Sequence, residues 1–175
     1  VALAEIGDKT QLLALVLAAR FRKPLPIILG ILVATLANHA MAGAFGAWLA
    51  AQVGPAAMRW ILGLSFIAMA AWIMVPDKYE EQDESTSRFG VFGTTLLAFF
   101  LVEMGDKTQI ATVALAARYS SLVGVVAGTT LGMMIANAPV VLIGGIAAER
   151  LPLKLIRGLA AASFAAIGVW ILVTG

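Results

Sequence analysis

Two short polar runs interrupt an otherwise apolar chain: Glu5-Ile6-Gly7-Asp8-Lys9-Thr10-Gln11 and Glu103-Met104-Gly105-Asp106-Lys107-Thr108-Gln109. Each carries two carboxylates, an amine, a hydroxyl and an amide. On a continuous helix, Glu5 and Asp8 share one face at i, i+3, and Lys9 lies i+4 from Glu5. Gly7 and Gly105 would let the backbone deform or a neighbouring helix approach closely. One such run could be a self-neutralising ion pair of structural use. Two copies at matching positions argue for a shared site. Four carboxylates and two ammonium groups leave a charge of −2, which one divalent cation or two protons would balance. The donors are the oxygens of Glu5, Asp8, Thr10, Gln11, Glu103, Asp106, Thr108 and Gln109, which suit Ca²⁺, Mn²⁺ or Mg²⁺. One histidine and no cysteine argue against an ordinary zinc or copper site. Neither an EF-hand loop nor a Walker A frame surrounds the runs.

The setting is a membrane. Hydrophobic residues make up 61% of the 175 and charged residues 13%, against about 45–50% and 25% in soluble domains. Mean hydropathy is +0.96. Apolar stretches predict six transmembrane helices, each needing about 20 residues. They run from before Val1 to Ala19, Leu25 to Ala51, Ala57 to Val75, Phe89 to Ala117, Ser121 to Ala148 and Leu153 to Thr174. Spans this long can be tilted, kinked or broken. The first residue is Val rather than Met, so a short N-terminal piece is expected to precede it.

The halves repeat. An offset of 98 residues relates Glu5 to Glu103, Asp8 to Asp106, Lys9 to Lys107, Gly30 to Gly128, Arg59 to Arg157 and Trp72 to Trp170. Register held over whole halves argues for duplication. Three spans per half, an odd number, predict two inverted-topology three-helix repeats, an all-α architecture common in secondary transporters. The expected organisation is repeat 1 at 1–76, an acidic linker at 77–88 and repeat 2 at 89–175. Arg20, Arg22, Lys23, Lys78, Arg88, Arg150, Lys154 and Arg157 gather on one predicted side, with Arg59 and Arg118 on the other. The positive-inside rule then makes the linker cytoplasmic and leaves both termini outside.

Six isolated charges at mid-membrane would cost on the order of 15–20 kcal/mol, more than the roughly 5–15 kcal/mol that holds a fold together. They must converge on each other, on water or on a ligand. The two runs match the pattern E-x-G-D-[KR]-[ST], and the chain resembles the second calcium/cation antiporter family, which includes Golgi, chloroplast and bacterial manganese exporters. That resemblance implies export of Mn²⁺ or Ca²⁺ against protons, with Glu5, Asp8, Glu103 and Asp106 binding the ion. It implies a multi-pass protein of the bacterial inner membrane rather than an enzyme, with no cofactor beyond the transported ion and protons. The partners expected are a divalent ion and the bilayer, not nucleic acid.

Lys9, Thr10, Gln11, Lys107, Thr108 and Gln109 are expected to support the site. Asn38 and Asn137 read either as interhelical hydrogen-bonding residues or as oxygens completing the ion shell. His39 reads as a structural or interfacial residue rather than a proton carrier, and its 98-residue mate, Asn137, argues against a mechanistic role shared by the two halves. Trp48, Trp60, Trp72 and Trp170 lie near span ends as interfacial anchors. Gly124, Gly128 and Gly132 form G-x-x-x-G spacings that permit close packing within or between chains. Two rival functions remain: a passive cation channel with an acidic constriction, and an exporter of small organic cations.

Overall fold

The computed structural model describes residues 1–75, 89–143 and 153–174. The expected linker at 77–88, with Lys78 and Arg88, lies outside them, as do Arg150 and the stretch that would carry the fifth span to Ala148. The described residues form eight helices and no strand: α1 (Ala2–Glu5), α2 (Lys9–Phe21), α3 (Pro24–Gln52), α4 (Pro55–Ile73), α5 (Gly90–Glu103), α6 (Lys107–Arg118), α7 (Leu122–Ile143) and α8 (Leu153–Thr174). Four of them, α3, α4, α7 and α8, are long and apolar enough to cross a membrane.

Local chemistry sets the boundaries. Proline opens α3 at Pro24 and α4 at Pro55, where its missing N–H has no partner to lose. Arg22 adopts a left-handed conformation (φ 51°) and its N–H returns to the Ala18 carbonyl, closing α2. Lys154 and Arg157 lie in the first turns of α8, within the expected sixth span.

The first and fourth expected spans are not single helices. Each is broken inside its polar run: α1 stops at Glu5 and α2 restarts at Lys9, while α5 stops at Glu103 and α6 restarts at Lys107. The reading of Glu5 and Asp8 as neighbours on one continuous helix therefore does not hold. Gly7 (φ 81°) and Gly105 (φ 77°) take the left-handed backbone that turns the chain at each break, a region that costs other residues about 1–2 kcal/mol.

The molecule is polar within and apolar without. Glu5, Asp8, Thr10, Gln11, Thr35, Asn38, His39, Glu103, Asp106, Lys107, Thr108 and Asn137 are buried. Leu36, Phe45, Trp48, Ile135, Leu142, Trp170 and Val173 are exposed. A membrane protein distributes its polar groups this way, because hydrocarbon solvates the apolar surface and the bundle must satisfy the polar groups. Two apolar clusters frame the runs. One joins Ala4, Phe66, Met69, Ala111 and Phe164; the other joins Leu13, Ile27, Ile31, Phe99 and Val141. The chain passes from the first cluster to the second through residues 5–11, and from the second to the first through 103–109.

Packing partners interchange under the 98-residue offset. The α5–α6 pair packs on α3, the α1–α2 pair packs on α7, α3 packs on α7, and α4 packs on α8. The α4–α8 crossing is close because Gly63 and Gly168 meet: a β-carbon on Gly168 would stand 2.8 Å from the Gly63 carbonyl oxygen, and one on Gly63 would strike Leu172. On α3, a β-carbon at Gly46 would strike the Val113 carbonyl of α6. The expected glycine face of α7 does less. Gly132 lies against Val1 and Ala2, whereas a β-carbon on Gly128 would meet nothing within 4 Å.

Gly105→Ala should cost about 1–2 kcal/mol through the left-handed backbone alone, since a methyl there meets no neighbour. Thermal unfolding in detergent measures it, and Gly128→Ala, with equal space and no positive φ inside α7, should not lower the transition, because alanine is the better helix former.

Candidate functional site

Both breaks are built alike. The amide oxygen of Gln11 accepts the Gly7 N–H at 2.8 Å, and that of Gln109 accepts the Gly105 N–H at 2.6 Å. A side chain one turn into the new helix thus satisfies the backbone donor released by the break. Gln11 also donates to the Ala136 carbonyl of α7 at 3.1 Å. The two glutamines therefore spend their amide oxygens on the backbone. On the far side of the first break, Arg157 of α8 donates to the Gly7 carbonyl at 3.2 Å.

The breaks place the acids at helix ends. Glu5 and Glu103 are the last residues of α1 and α5, and Asp8 and Asp106 are the N-caps of α2 and α6. An N-cap carboxylate is favoured by the free N–H groups of the first turn. Asp8 uses this, accepting the Lys9 N–H at 2.9 Å.

The two runs cross-neutralise. Lys9 of the first meets Asp106 of the second at 3.3 Å. Lys107 of the second meets Asp8 of the first at 3.5 Å. The runs, 98 residues apart in sequence, are therefore one cluster in space. The crossing is not fully symmetric, because the Lys9 side chain is 26% exposed and that of Lys107 is 5% exposed.

Carboxylate oxygens of Glu5, Asp8 and Asp106 lie within 4.8 Å of one another, all three residues buried. Glu103 is not among those three, yet it lies within Coulombic reach of Glu5, Asp8, Lys9 and Asp106. Thr10 donates to Glu5 Oε2 at 2.7 Å. Thr108 faces the same carboxylate from the other run without reaching hydrogen-bond geometry. Glu5 Oε1, both Glu103 oxygens and Asp106 Oδ2 have no hydrogen-bond partner although buried. An unsatisfied buried acceptor costs about 1–3 kcal/mol, more when charged. Such a set of oxygens is suited to a hard cation or to protons.

The second helix of each half completes the surroundings. Asn38 donates to the Phe100 carbonyl of α5 at 3.1 Å, an interhelical bond, and its Oδ1 has no partner. Asn137 bonds within its own helix, donating to the Met133 carbonyl at 3.1 Å, and its Oδ1 is likewise unpartnered. His39 is not interfacial but fully buried, with Nε2 3.9 Å from Glu103 Oε2. The signal was present, since Thr35, Asn38 and His39 fall at i, i+3, i+4 on one face of an apolar helix.

Comparison with known proteins agrees with this chemistry. The chain is 54% identical over 165 residues to a "putative manganese exporter" of Vibrio cholerae, covering 94% of this chain and 82% of that protein. It is 29% identical over 192 aligned positions to a GDT1-like protein of Synechocystis, covering 97% of this chain and 93% of that one. No solved structure matches it. The family model described as "Divalent cation/proton antiporter GDT1" matches residues 1–81 and 91–175. With that match across nearly its whole length, the chain belongs to the GDT1 family of divalent cation/proton antiporters.

Proposed function

We propose that this protein exports Mn²⁺ from the cytoplasm in exchange for protons by alternating access. The observation that carries the reading is the crossed pairing of Lys9 with Asp106 and Lys107 with Asp8, which makes two half-sites into one. Glu5, Asp8, Glu103 and Asp106 bind either the dehydrated ion or protons. A carboxylate attracts the cation through its charge, and protonation removes that attraction. Protons arriving from the outer side therefore release the ion there. The ion leaves the cytoplasm when the acids reload it. Lys9 and Lys107 occupy the aspartates between ions, holding four like charges together. The choice of Mn²⁺ over Ca²⁺ rests on the manganese-exporter relative.

The inverted-topology, six-span arrangement belongs to the same proposal. Its repeats are 1–76 and 89–175, joined by the cytoplasmic linker 77–88, with both termini outside in a bacterial inner membrane. Two features support it. Packing partners exchange under the 98-residue offset, and the chain traverses the two apolar clusters in opposite order in the two runs. Broken helices whose ends face a mid-membrane site are a recurrent way to hold ions in such transporters.

Proteoliposomes with an acidic lumen should accumulate Mn²⁺ against its gradient. Glu103→Gln and Asp106→Asn should each lower that uptake by at least the roughly 10–100-fold that losing an outer-shell partner of a metal site costs. Uptake that only equilibrates across the membrane would indicate a channel, and unchanged uptake in both variants would remove the acids from the mechanism.

Lys107→Met should lower stability by about 3–5 kcal/mol, because it removes the buried ammonium that faces the Asp8 carboxylate. The double variant Asp8→Asn with Lys107→Met should recover at least half of the loss. Thermal unfolding in detergent at fixed pH checks both.

A further inference from the structure

The oxygens of the four acids do not by themselves separate a transition-metal ion from Ca²⁺ or Mg²⁺, since all three accept carboxylates. His39 supplies the missing chemistry. It is fully buried, and neither ring nitrogen has a hydrogen-bond partner. Its Nε2 stands 3.9 Å from Glu103 Oε2, and neither oxygen of that carboxylate is hydrogen-bonded. A histidine retained for structure normally ties at least one nitrogen to a backbone or side-chain partner. Here both are left without one, beside an acid in the same condition. Asn38, the preceding residue on α3, also leaves its Oδ1 unpartnered. The feature belongs to one half alone, because Asn137, an oxygen donor, is the 98-residue mate of His39.

We infer that His39 is a nitrogen ligand to the transported ion on the Glu103 side of the site, and that it makes the transporter prefer transition-metal dications over Ca²⁺ and Mg²⁺. The inference rests on the proposed cation site and adds its selectivity. Imidazole nitrogen binds d-block ions and contributes little to hard alkaline-earth ions, which take oxygen. By the same ordering it strengthens Fe²⁺ or Zn²⁺ binding more than Mn²⁺ binding. The discrimination it builds is therefore between the d-block and the alkaline earths.

His39 is the one histidine among the 175 residues, so the test can be spectroscopic and needs no variant. The wild-type protein, purified with a histidine-free tag, is loaded with Mn²⁺. Its electron spin echo modulation is then compared between unlabelled protein and protein grown with histidine carrying heavy nitrogen. Modulation from a directly bound nitrogen that changes with the label is expected. Bound Mn²⁺ with no histidine-dependent modulation would overturn the inference and leave the acidic site standing. Failure to bind Mn²⁺ at all would overturn both.

Transport supplies the second arm. In His39→Asn, Mn²⁺ uptake should persist with a raised KM, while the Ca²⁺ concentration that half-inhibits it should fall by about tenfold, the effect expected of losing one ligand of discriminating type. An active variant whose Ca²⁺ inhibition stays within about twofold of wild type would refute the selectivity role.

Discussion

An ion pair formed between two sequence-distant runs is the contact on which the rest depends. In hydrocarbon no water is at hand to solvate Asp8, Asp106, Lys9 or Lys107, so each charge must find its opposite inside the protein. Each lysine finds it in the other run: Lys9 at Asp106 and Lys107 at Asp8. Neutralising within a run would have allowed the halves to fold as separate ion pairs. Crossing the pairs means that neither half is electrostatically complete until both are docked. The apolar packing of α4 on α8 and of α3 on α7 accompanies that joined polar centre.

The helix breaks follow from the same demand. A continuous helix would spend its backbone groups internally and offer only side chains to the centre. Stopping at Glu5 and Glu103 and restarting at Lys9 and Lys107 puts an acid on each side of each break. Gly7 and Gly105 supply the turn, and Gln11 and Gln109 return an amide oxygen to the exposed N–H groups. The matching geometry of the two breaks thus has a physical division of labour: glycine bends, glutamine repairs, aspartate takes the N-cap position and glutamate is buried at the end of the preceding helix. Three carboxylates converge in consequence, and among their oxygens Glu5 Oε1 and Asp106 Oδ2 have no hydrogen-bond partner.

Pseudo-symmetry does not extend to every group. Lys9 is partly exposed and Lys107 is buried. Thr10 donates to Glu5, while Thr108 makes no hydrogen bond to Glu103, the acid of its own run. His39 stands beside Glu103 where the other half carries Asn137. A site assembled from two inexact copies can use one half's departures to set properties that perfect duplication would forbid. Selectivity, as inferred for His39, is such a property.

Much was legible in the sequence. Apolar composition dictated a membrane protein, because such a chain has too little polar surface to cover itself in water. The motif residues and their 98-residue offset implied that both copies meet at one centre, since isolated charges in hydrocarbon are too costly, and the crossed ion pairs place them together. The spans matching α3, α4 and α8 were also readable, since length and hydropathy alone decide them. What the sequence could not show was the break within each run, because a glycine between acids serves equally for close packing or for a turn. Nor could it show which lysine meets which aspartate, or that His39 lies against Glu103. Those depend on how two helices 98 residues apart are brought together. Side-chain type sets what a group can do, but only tertiary packing sets which group stands opposite it.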